Sequence, residues 1–152
     1  LWEHCQAHDI PMAIVSQGLD FYIQALLDKE GHTQVPVYAV NTSFTNQVIA
    51  YEYRYTRPGQ EAAGNSKALV VERFRREGHY VFYAGDGLSD LEAAPVADVL
   101  FAHRTLATEC ARQNIPYRPF TDFEDMLQAV QEYQLNGYSP IKDQGGSEEG
   151  SP

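Results

Sequence analysis

Short apolar runs alternate along the chain with longer segments that repeat apolar residues at helical spacing. The runs predict buried strands over residues 12–15, 35–40, 81–84 and 97–102. The periodic segments predict helices over residues 20–30, 66–77, 105–113 and 121–133, and residues 1–8 predict the end of another helix. Strands that alternate with helices predict an α/β fold: a Rossmann-like parallel sheet with helices on both faces.

Two segments depart from this alternation. Residues 48–55 alternate and are rich in aromatic and β-branched side chains, which predicts an extra strand and a small β-hairpin excursion. Beyond the last predicted helix the chain consists mainly of Gly, Ser, Pro and charged residues. We therefore predict one partial core over residues 1–134 and a disordered tail over residues 135–152.

Composition narrows the classes of partner. A chain of 152 residues with a formal net charge of −10 fits one domain and argues against a nucleic acid or an anionic membrane as partner. No apolar run reaches the roughly 18 residues that a membrane span needs. Cys5 and Cys110 stand alone, without metal-ligand spacing, which is typical of a reducing compartment. We therefore expect a cytoplasmic protein.

The strand predicted over residues 81–84 leads into Gly85-Asp86-Gly87, and a second acid, Asp90, follows four residues after Asp86. A helix is predicted to begin near Leu88. Asp86 should thus lie at the carboxyl end of a strand, where open α/β sheets bind ligands. Two carboxylates at one crevice suit a hard cation such as Mg²⁺. The alternative is that Asp86 only forms a turn and Asp90 only begins a helix.

Two further groups stand at strand or helix ends. Ser16, Gln17 and Gly18 follow the strand over residues 12–15, and a hydroxyl with neighbouring amides could hold a phosphate at a helix entrance. The alternative is a serine that only caps the helix. Lys67 lies in the first turn of a predicted helix, where the helix dipole disfavours a cation. It could bridge a phosphate and a carboxylate, or it could be an ordinary surface lysine.

The order of these motifs resembles the haloacid dehalogenase (HAD) superfamily, in particular its phosphoserine-phosphatase branch and the methionine-salvage enolphosphate phosphatases. Residues 14–21, 84–94, 98–102 and 108–114 carry the resemblance, which extends from about residue 2 to about residue 130. It implies that an aspartate attacks the phosphoryl group of a small phosphorylated metabolite and forms an aspartyl-phosphate, with Mg²⁺ as cofactor.

The resemblance also assigns roles to individual residues. It implies that Ser16, with the amides of Gln17 and Gly18, binds the phosphoryl group, and that Lys67 is a catalytic residue that bridges nucleophile and phosphate. It implies that Asp86 and Asp90 form the metal site, Asp86 as a direct ligand and Asp90 as its support. Asp20 and Phe21 are expected near the substrate.

One motif of the family is missing. Its Asp-x-Asp nucleophile pair lies on a central first strand, and no Asp-x-Asp occurs in this chain. We expect that strand to precede Leu1, which would make the chain the C-terminal part of a phosphatase and inactive by itself. The alternatives are a non-catalytic HAD-like module that binds a phosphorylated ligand or a protein, and a receiver-like or flavodoxin-like domain. The sequence leaves the phosphomonoester and the oligomeric state open.

Overall fold

A computed structural model describes residues 1–46 and 48–136. Its helices are α1 (Trp2–Ala7), α2 (Asp20–Lys29), α3 (Lys67–Arg76), α4 (Arg104–Arg112) and α5 (Phe123–Asn136). Its strands are β1 (Ile14–Leu19), β2 (Val37–Thr45), β3 (Val48–Glu52), β4 (Phe82–Gly85), β5 (Val99–Ala102) and β6 (Arg118–Pro119). Most of the tail predicted to be disordered, from residue 137 onward, lies outside the described residues.

The strands form two sheets of three strands each. In the first, β1 lies parallel to β2, and β2 pairs antiparallel with β3; in the second, β4, β5 and β6 are all parallel. The predicted fold class, a mixed α/β fold with parallel strands, is confirmed. The strands do not join into one sheet, because no ladder connects β1 to β4 within the described residues. Each of these two strands therefore keeps one edge without a strand partner there.

The predicted hairpin excursion is confirmed, although its strands have different ends. β2 continues to Thr45, beyond the apolar run over residues 35–40, and β3 ends at Glu52. Thr42 pairs with Tyr51 and Phe44 with Ile49 across the hairpin. The antiparallel ladder thus extends β2 through mainly polar residues beyond the predicted apolar run.

Strand β5 forms the centre of the second sheet and all four of its residues are buried. Its side chains alternate between two clusters, as the two-residue period of a strand requires. Leu100 and Ala102 pack in the cluster that contains Leu106 and Cys110 of α4. Val99 and Phe101 pack on the other face with Met126 and Ala129 of α5. Helices therefore cover both faces of this sheet, as predicted from its continuous apolar run.

The first sheet is covered less completely. Helix α2 has no buried residue, and every residue of β3 is exposed. Phe44 and Val48 on the hairpin are 63% and 64% exposed. The main core therefore belongs to the second sheet and its helices.

None of the helices among the described residues is both long enough and apolar enough to cross a membrane.

Two leucine substitutions test this distribution of the core. Leu106 is fully buried, whereas Leu26 on α2 is 60% exposed. Leu106→Ala should lower the free energy of unfolding by about 2–5 kcal/mol, because it removes buried methyl groups and leaves a cavity. Leu26→Ala should change it by less than about 0.5 kcal/mol. Urea denaturation measures both, and equal losses would contradict the assignment of the core.

Candidate active site

The residues after β4 fold back on themselves. A short 3₁₀ turn, Leu88–Asp90, follows Gly87, and a second one covers Ala94–Val96. The prediction of a helix that begins near Leu88 is therefore wrong. The tighter turn brings the Asp90 carboxylate under the loop, where Oδ2 accepts hydrogen bonds from the amides of Asp86 (3.1 Å) and Gly87 (3.0 Å). Asp90 thereby fixes the backbone that carries Asp86.

The other oxygen of Asp90 joins the loop to two further elements. Oδ1 accepts hydrogen bonds from Lys67 Nζ (2.6 Å) on α3 and from Tyr83 Oη (2.6 Å) on β4. Asp90 is 4% exposed and Lys67 is 8% exposed, so the two charges form a buried ion pair. This pairing explains how a lysine is accommodated in the first turn of a helix.

Hydrogen bonding sets the charge state of Asp90. Burial by itself raises the pKa of this carboxyl, but the hydrogen bonds from Lys67, Tyr83 and the Gly87 amide outweigh burial and leave the pKa below its usual value. Burial and the adjacent Asp90 both raise the pKa of Tyr83. At neutral pH Asp90 is therefore an anion and Tyr83 a neutral hydrogen-bond donor.

A third acid holds the beginning of α3. Glu92 Oε1 accepts a hydrogen bond from the Lys67 amide (2.8 Å), and Oε2 accepts one from the Ser66 hydroxyl (2.7 Å). Ser66 Oγ in turn accepts a hydrogen bond from the Leu69 amide. A carboxylate at a helix N-terminus is favoured by the helix dipole. Sequence reasoning missed both Glu92 and Tyr83. A signal existed for Glu92 alone, because this acid stands two residues after Asp90.

Gly85 is required by the proximity of Asp90. A Cβ atom on residue 85 would lie 2.5 Å from Asp90 Cγ and 2.7 Å from Oδ2. At Gly87 the nearest such contact would be 3.8 Å. The first glycine of Gly85-Asp86-Gly87 thus leaves room for the carboxylate, whereas the second has space for a side chain.

Ser16 lies inside β1, because this strand extends to Leu19. The pairing of β1 with β2 shifts in register between Val15 and Leu19. The prediction that Ser16 follows the strand is therefore wrong. Ser16 Oγ accepts a hydrogen bond from the Gly18 amide (2.9 Å), so this bond engages the Gly18 amide, itself a predicted phosphate donor, and does not use the Ser16 O–H. Helix α2 begins only at Asp20, and no side chain caps it, which excludes the helix-cap alternative for Ser16.

One cavity of about 250 Å³ joins three of these segments. Its wall includes Gln17 of β1, Asn65 and Ser66 at the start of α3, Leu88 and Ser89 after β4, and Glu92. The cavity therefore lies between the second half of β1 and the loop after β4. Of the residues predicted to bind phosphate or metal, Gln17 lines this cavity, whereas the others do not: Ser16, Gly18, Lys67, Asp86 and Asp90.

Asp86 is the accessible acid of the group. Its side chain is 59% exposed, and its one ion pair among the described residues, with Arg104 Nη1, is long at 3.5 Å. Among the residues that the structure describes, no group of three His, Cys, Asp or Glu side chains could enclose a metal ion. Mg²⁺ often uses only one or two carboxylates and completes its shell with water and phosphate oxygens. Asp86 could serve as such a metal ligand, whereas both oxygens of Asp90 already accept hydrogen bonds from the protein.

The residues predicted near the substrate line a different cavity. Asp20 and Phe21 belong to a space of about 530 Å³ that also includes Thr42 and Phe44. The Asp20 carboxylate accepts hydrogen bonds from the amide and the hydroxyl of Thr42, which ties α2 to β2. Phe21 packs edge-to-face on Phe44, with 5.4 Å between ring centroids. Their role as substrate contacts stays a prediction.

Asp90→Asn tests the buried ion pair. The variant keeps the shape of the side chain but leaves the Lys67 ammonium buried without its counter-ion, so it should cost about 3–5 kcal/mol of unfolding free energy at pH 7. The stabilisation from Asp90 is complete above the pKa of an unfolded aspartate, about 3.9, and is lost as pH falls through the lower folded pKa. The difference between wild type and variant should therefore shrink below about pH 4.

Urea denaturation at several pH values measures this difference. Glu77→Gln is the control, because it breaks the exposed Arg73–Glu77 pair and should change stability little. Equal effects of the two substitutions would contradict a structural role for the buried pair.

Two alanine substitutions in one loop test the close approach of Asp90. Gly85→Ala should destabilise the protein by about 1–3 kcal/mol, because the new methyl group overlaps the carboxylate. Gly87→Ala places a methyl group at ordinary contact distance, 3.8 Å from Asp90 Oδ2, and should have a much smaller effect. Thermal or urea unfolding of both variants gives the comparison, and a harmless Gly85→Ala would show that Asp90 does not occupy this position.

Comparison with known proteins identifies the family of this chain. The profile of the family described as "haloacid dehalogenase-like hydrolase" matches residues 1–95, well over half of the chain. A relative from Lysinibacillus sphaericus, named 2-hydroxy-3-keto-5-methylthiopentenyl-1-phosphate phosphatase, is 34% identical over 135 residues, which cover 85% of this chain and 59% of the relative. A protein of the same name from Exiguobacterium sibiricum is 30% identical over 83% of this chain and 58% of its own length.

The chain thus spans about three-fifths of the length of these relatives. The profile match covers α1, both strands of the hairpin, Lys67 and the Asp86–Asp90 loop. Because the profile matches more than half of its residues, the chain belongs to the haloacid dehalogenase-like hydrolase family.

Proposed function

We propose that this chain is the C-terminal part of a Mg²⁺-dependent phosphatase that hydrolyses a small phosphomonoester through an aspartyl-phosphate. The nucleophilic aspartate would come from a segment outside the 152 residues. The observation that carries the proposal is the buried Lys67–Asp90 pair (2.6 Å) beside the accessible Asp86. A cation and two acids at the carboxyl ends of strands suit phosphoryl transfer, which depends on positioning and charge neutralisation.

Lys67 is suited to bridge a phosphate and a second carboxylate. An ammonium group has three N–H donors, and Asp90 accepts a hydrogen bond from Lys67 Nζ in this arrangement. The remaining donors could reach a phosphate oxygen and the incoming aspartate. Asp90 holds the ammonium in place, so Lys67 needs no rearrangement when the ligand binds.

The phosphoryl group would lie between Lys67 and the end of β1. Ser16 and the Gln17 amide are the groups that β1 offers, and Gly18 positions the Ser16 hydroxyl through its amide. Gln17 and Ser66, the neighbour of Lys67, line the same cavity. This shared wall supports a single phosphate site formed by β1 and α3.

Asp86 would hold the metal ion, and Asp90 would act as a positioning residue through the Asp86 and Gly87 amides. Mg²⁺, when bound, neutralises charge on the phosphate and aligns it for attack. Arg104 Nη1 lies 3.5 Å from Asp86 Oδ2, and this side chain would have to move away when the metal binds. The high exposure of both side chains supports such an exchange.

The edges of β1 and β4 support the proposal for the nucleophile. Each edge lacks a strand partner in the described part of the chain, and Gln17 of β1 lines one cavity with Leu88 and Ser89, which follow β4. A parallel strand added between them would bring its own carboxyl end to that cavity. The two sheets would then become one.

The name of the relatives specifies a phosphorylated five-carbon chain that carries a hydroxyl, a keto and a methylthio group. We infer a small phosphorylated metabolite as the substrate class of this protein. A cytoplasmic location is part of the same inference and is supported by Cys5 and Cys110, which are both free and buried.

A non-catalytic module that binds a phosphorylated ligand is the second candidate. The observation in its favour is that the 152 residues contain no Asp-x-Asp pair. Such a module would keep the phosphate site of Ser16 and Lys67 but would lack turnover in any longer form of the protein.

Phosphate release separates the two candidates. The chain extended by its native upstream sequence should release phosphate from small phosphomonoesters with Mg²⁺ and should lose this activity with a chelator. Asp86→Asn should lower kcat at least about 100-fold, because removal of a metal ligand costs more than the loss of an outer partner. Asp28→Asn, on the exposed side of α2, is the matched control and should leave kcat unchanged. A folded extended chain without turnover would favour the non-catalytic module.

A further inference from the structure

Asn65 combines burial with an unused hydrogen-bond donor. It is 4% exposed and belongs to the wall of the 250 Å³ cavity. Its Nδ2 has no hydrogen-bond partner among the residues that the structure describes. A buried donor without a partner is costly, and native proteins keep few of them. A group that enters the cavity and accepts this hydrogen bond would remove the cost.

The orientation of the Asn65 amide is fixed by its other contacts. Oδ1 accepts a hydrogen bond from the Tyr55 amide (3.1 Å), so an exchange of oxygen and nitrogen would break that bond. The Asn65 carbonyl accepts a hydrogen bond from Gln17 Nε2 at 3.3 Å, and Ser66 N–H donates to the Tyr55 carbonyl. The loop before α3 therefore presents a donor, and not an acceptor, at this position.

Gln17 lies beside Asn65 in the wall of the cavity and donates a hydrogen bond to its backbone carbonyl. Asn65 Nδ2 is covered, so water does not reach it in this arrangement. Gln17 is exposed and is held to Asn65 by one long hydrogen bond. Because that bond is weak and the side chain is at the surface, Gln17 can move aside when a ligand enters. The ligand then replaces Gln17 beside Asn65.

The charges around the cavity indicate what kind of group enters. Arg57 is paired with Glu72 (2.7 Å) and Lys67 with Asp90, so both cations beside the cavity are already neutralised. Glu92 adds a further carboxylate to the wall. Glu92, together with a phosphate bound at Lys67, disfavours a second anionic group next to Asn65. A neutral carbonyl or hydroxyl oxygen carries the required acceptor without that cost.

We propose that Asn65 is a specificity-determining residue, which donates a hydrogen bond from Nδ2 to a neutral carbonyl or hydroxyl oxygen in the carbon chain of the phosphomonoester. The phosphate itself binds at Ser16 and Lys67, so the two ends of the substrate are recognised separately. This inference rests on the proposed function, because the same crevice must bind the phosphate. It adds a residue that selects among phosphomonoesters by their oxygen atoms.

Two esters of equal size test the proposal. Hydroxyacetone phosphate carries a carbonyl oxygen on its three-carbon chain, and propyl phosphate has no oxygen beyond the phosphate. In the presence of Mg²⁺, the wild-type chain should bind hydroxyacetone phosphate at least about 10-fold more tightly by calorimetry, because a site built to bond an oxygen discriminates against a ligand that lacks it. Inorganic phosphate serves as the probe for the phosphate end alone.

Asn65→Asp should abolish this preference. The variant keeps an acceptor for the Tyr55 amide and replaces only the unpaired donor, and both esters feel its added charge alike, so their affinity ratio should fall to about 1. Asn114→Asp makes the same chemical change at an exposed position and should leave the ratio unchanged. A ratio that Asn65→Asp leaves intact would overturn the proposal.

A measurement on the wild-type protein covers the case in which Asn65→Asp does not fold. The side-chain amide resonances of Asn65 should shift in NMR spectra on addition of hydroxyacetone phosphate and should stay in place with propyl phosphate. Equal shifts with both esters, or no shift with either, would overturn the role of Asn65 alone. If neither ester nor inorganic phosphate binds, this inference is overturned, whereas the phosphatase function is decided separately by phosphate release from the extended chain.

Discussion

The buried ion pair between Lys67 and Asp90 is the constraint on which the site depends. Each charge would be costly to bury alone, so the loop after β4 and the first turn of α3 must be in register for either to be tolerated. Once the pair is formed, the remaining Asp90 oxygen takes up the amides of Asp86 and Gly87. The position of the accessible acid is thus a consequence of a charge pair several residues away. Glu92 fixes the same helix terminus from the other side, and the loop therefore binds α3 at two points.

Much of this site could be predicted from sequence because its members lie at the ends of regular elements. Ser16, Lys67, Asp86 and Asp90 were found from apolar runs, helix starts and a glycine-rich turn. Tyr83, Glu92 and Asn65 were not, because their importance comes from contacts between segments that lie far apart in the chain. The turn after Gly87 was predicted as a helix, since acids in a first turn fit either conformation; hydrogen bonds to the Asp90 side chain favour the tighter turn.

The sheet illustrates the same limit at the level of the fold. Strand positions follow from local apolar runs, but strand pairing is decided by distant partners. The chain forms two sheets whose packing differs: β5 is covered on both faces, whereas α2 buries none of its residues. Local opening should therefore require less free energy in the first sheet than in the second. The candidate site lies where the two sheets meet a common cavity, so its geometry depends on the less stable half as well as on the core.

The absence of a side chain at Gly85 has a consequence for how this sequence can diverge. The Asp90 carboxylate fills the space that any larger residue at position 85 would need, and Lys67 depends on that carboxylate for its charge balance. Substitutions at these three positions are therefore coupled, and their effects should not add. Positions 67, 85 and 90 are therefore expected to change together during divergence, whereas position 87 has room for at least a methyl group.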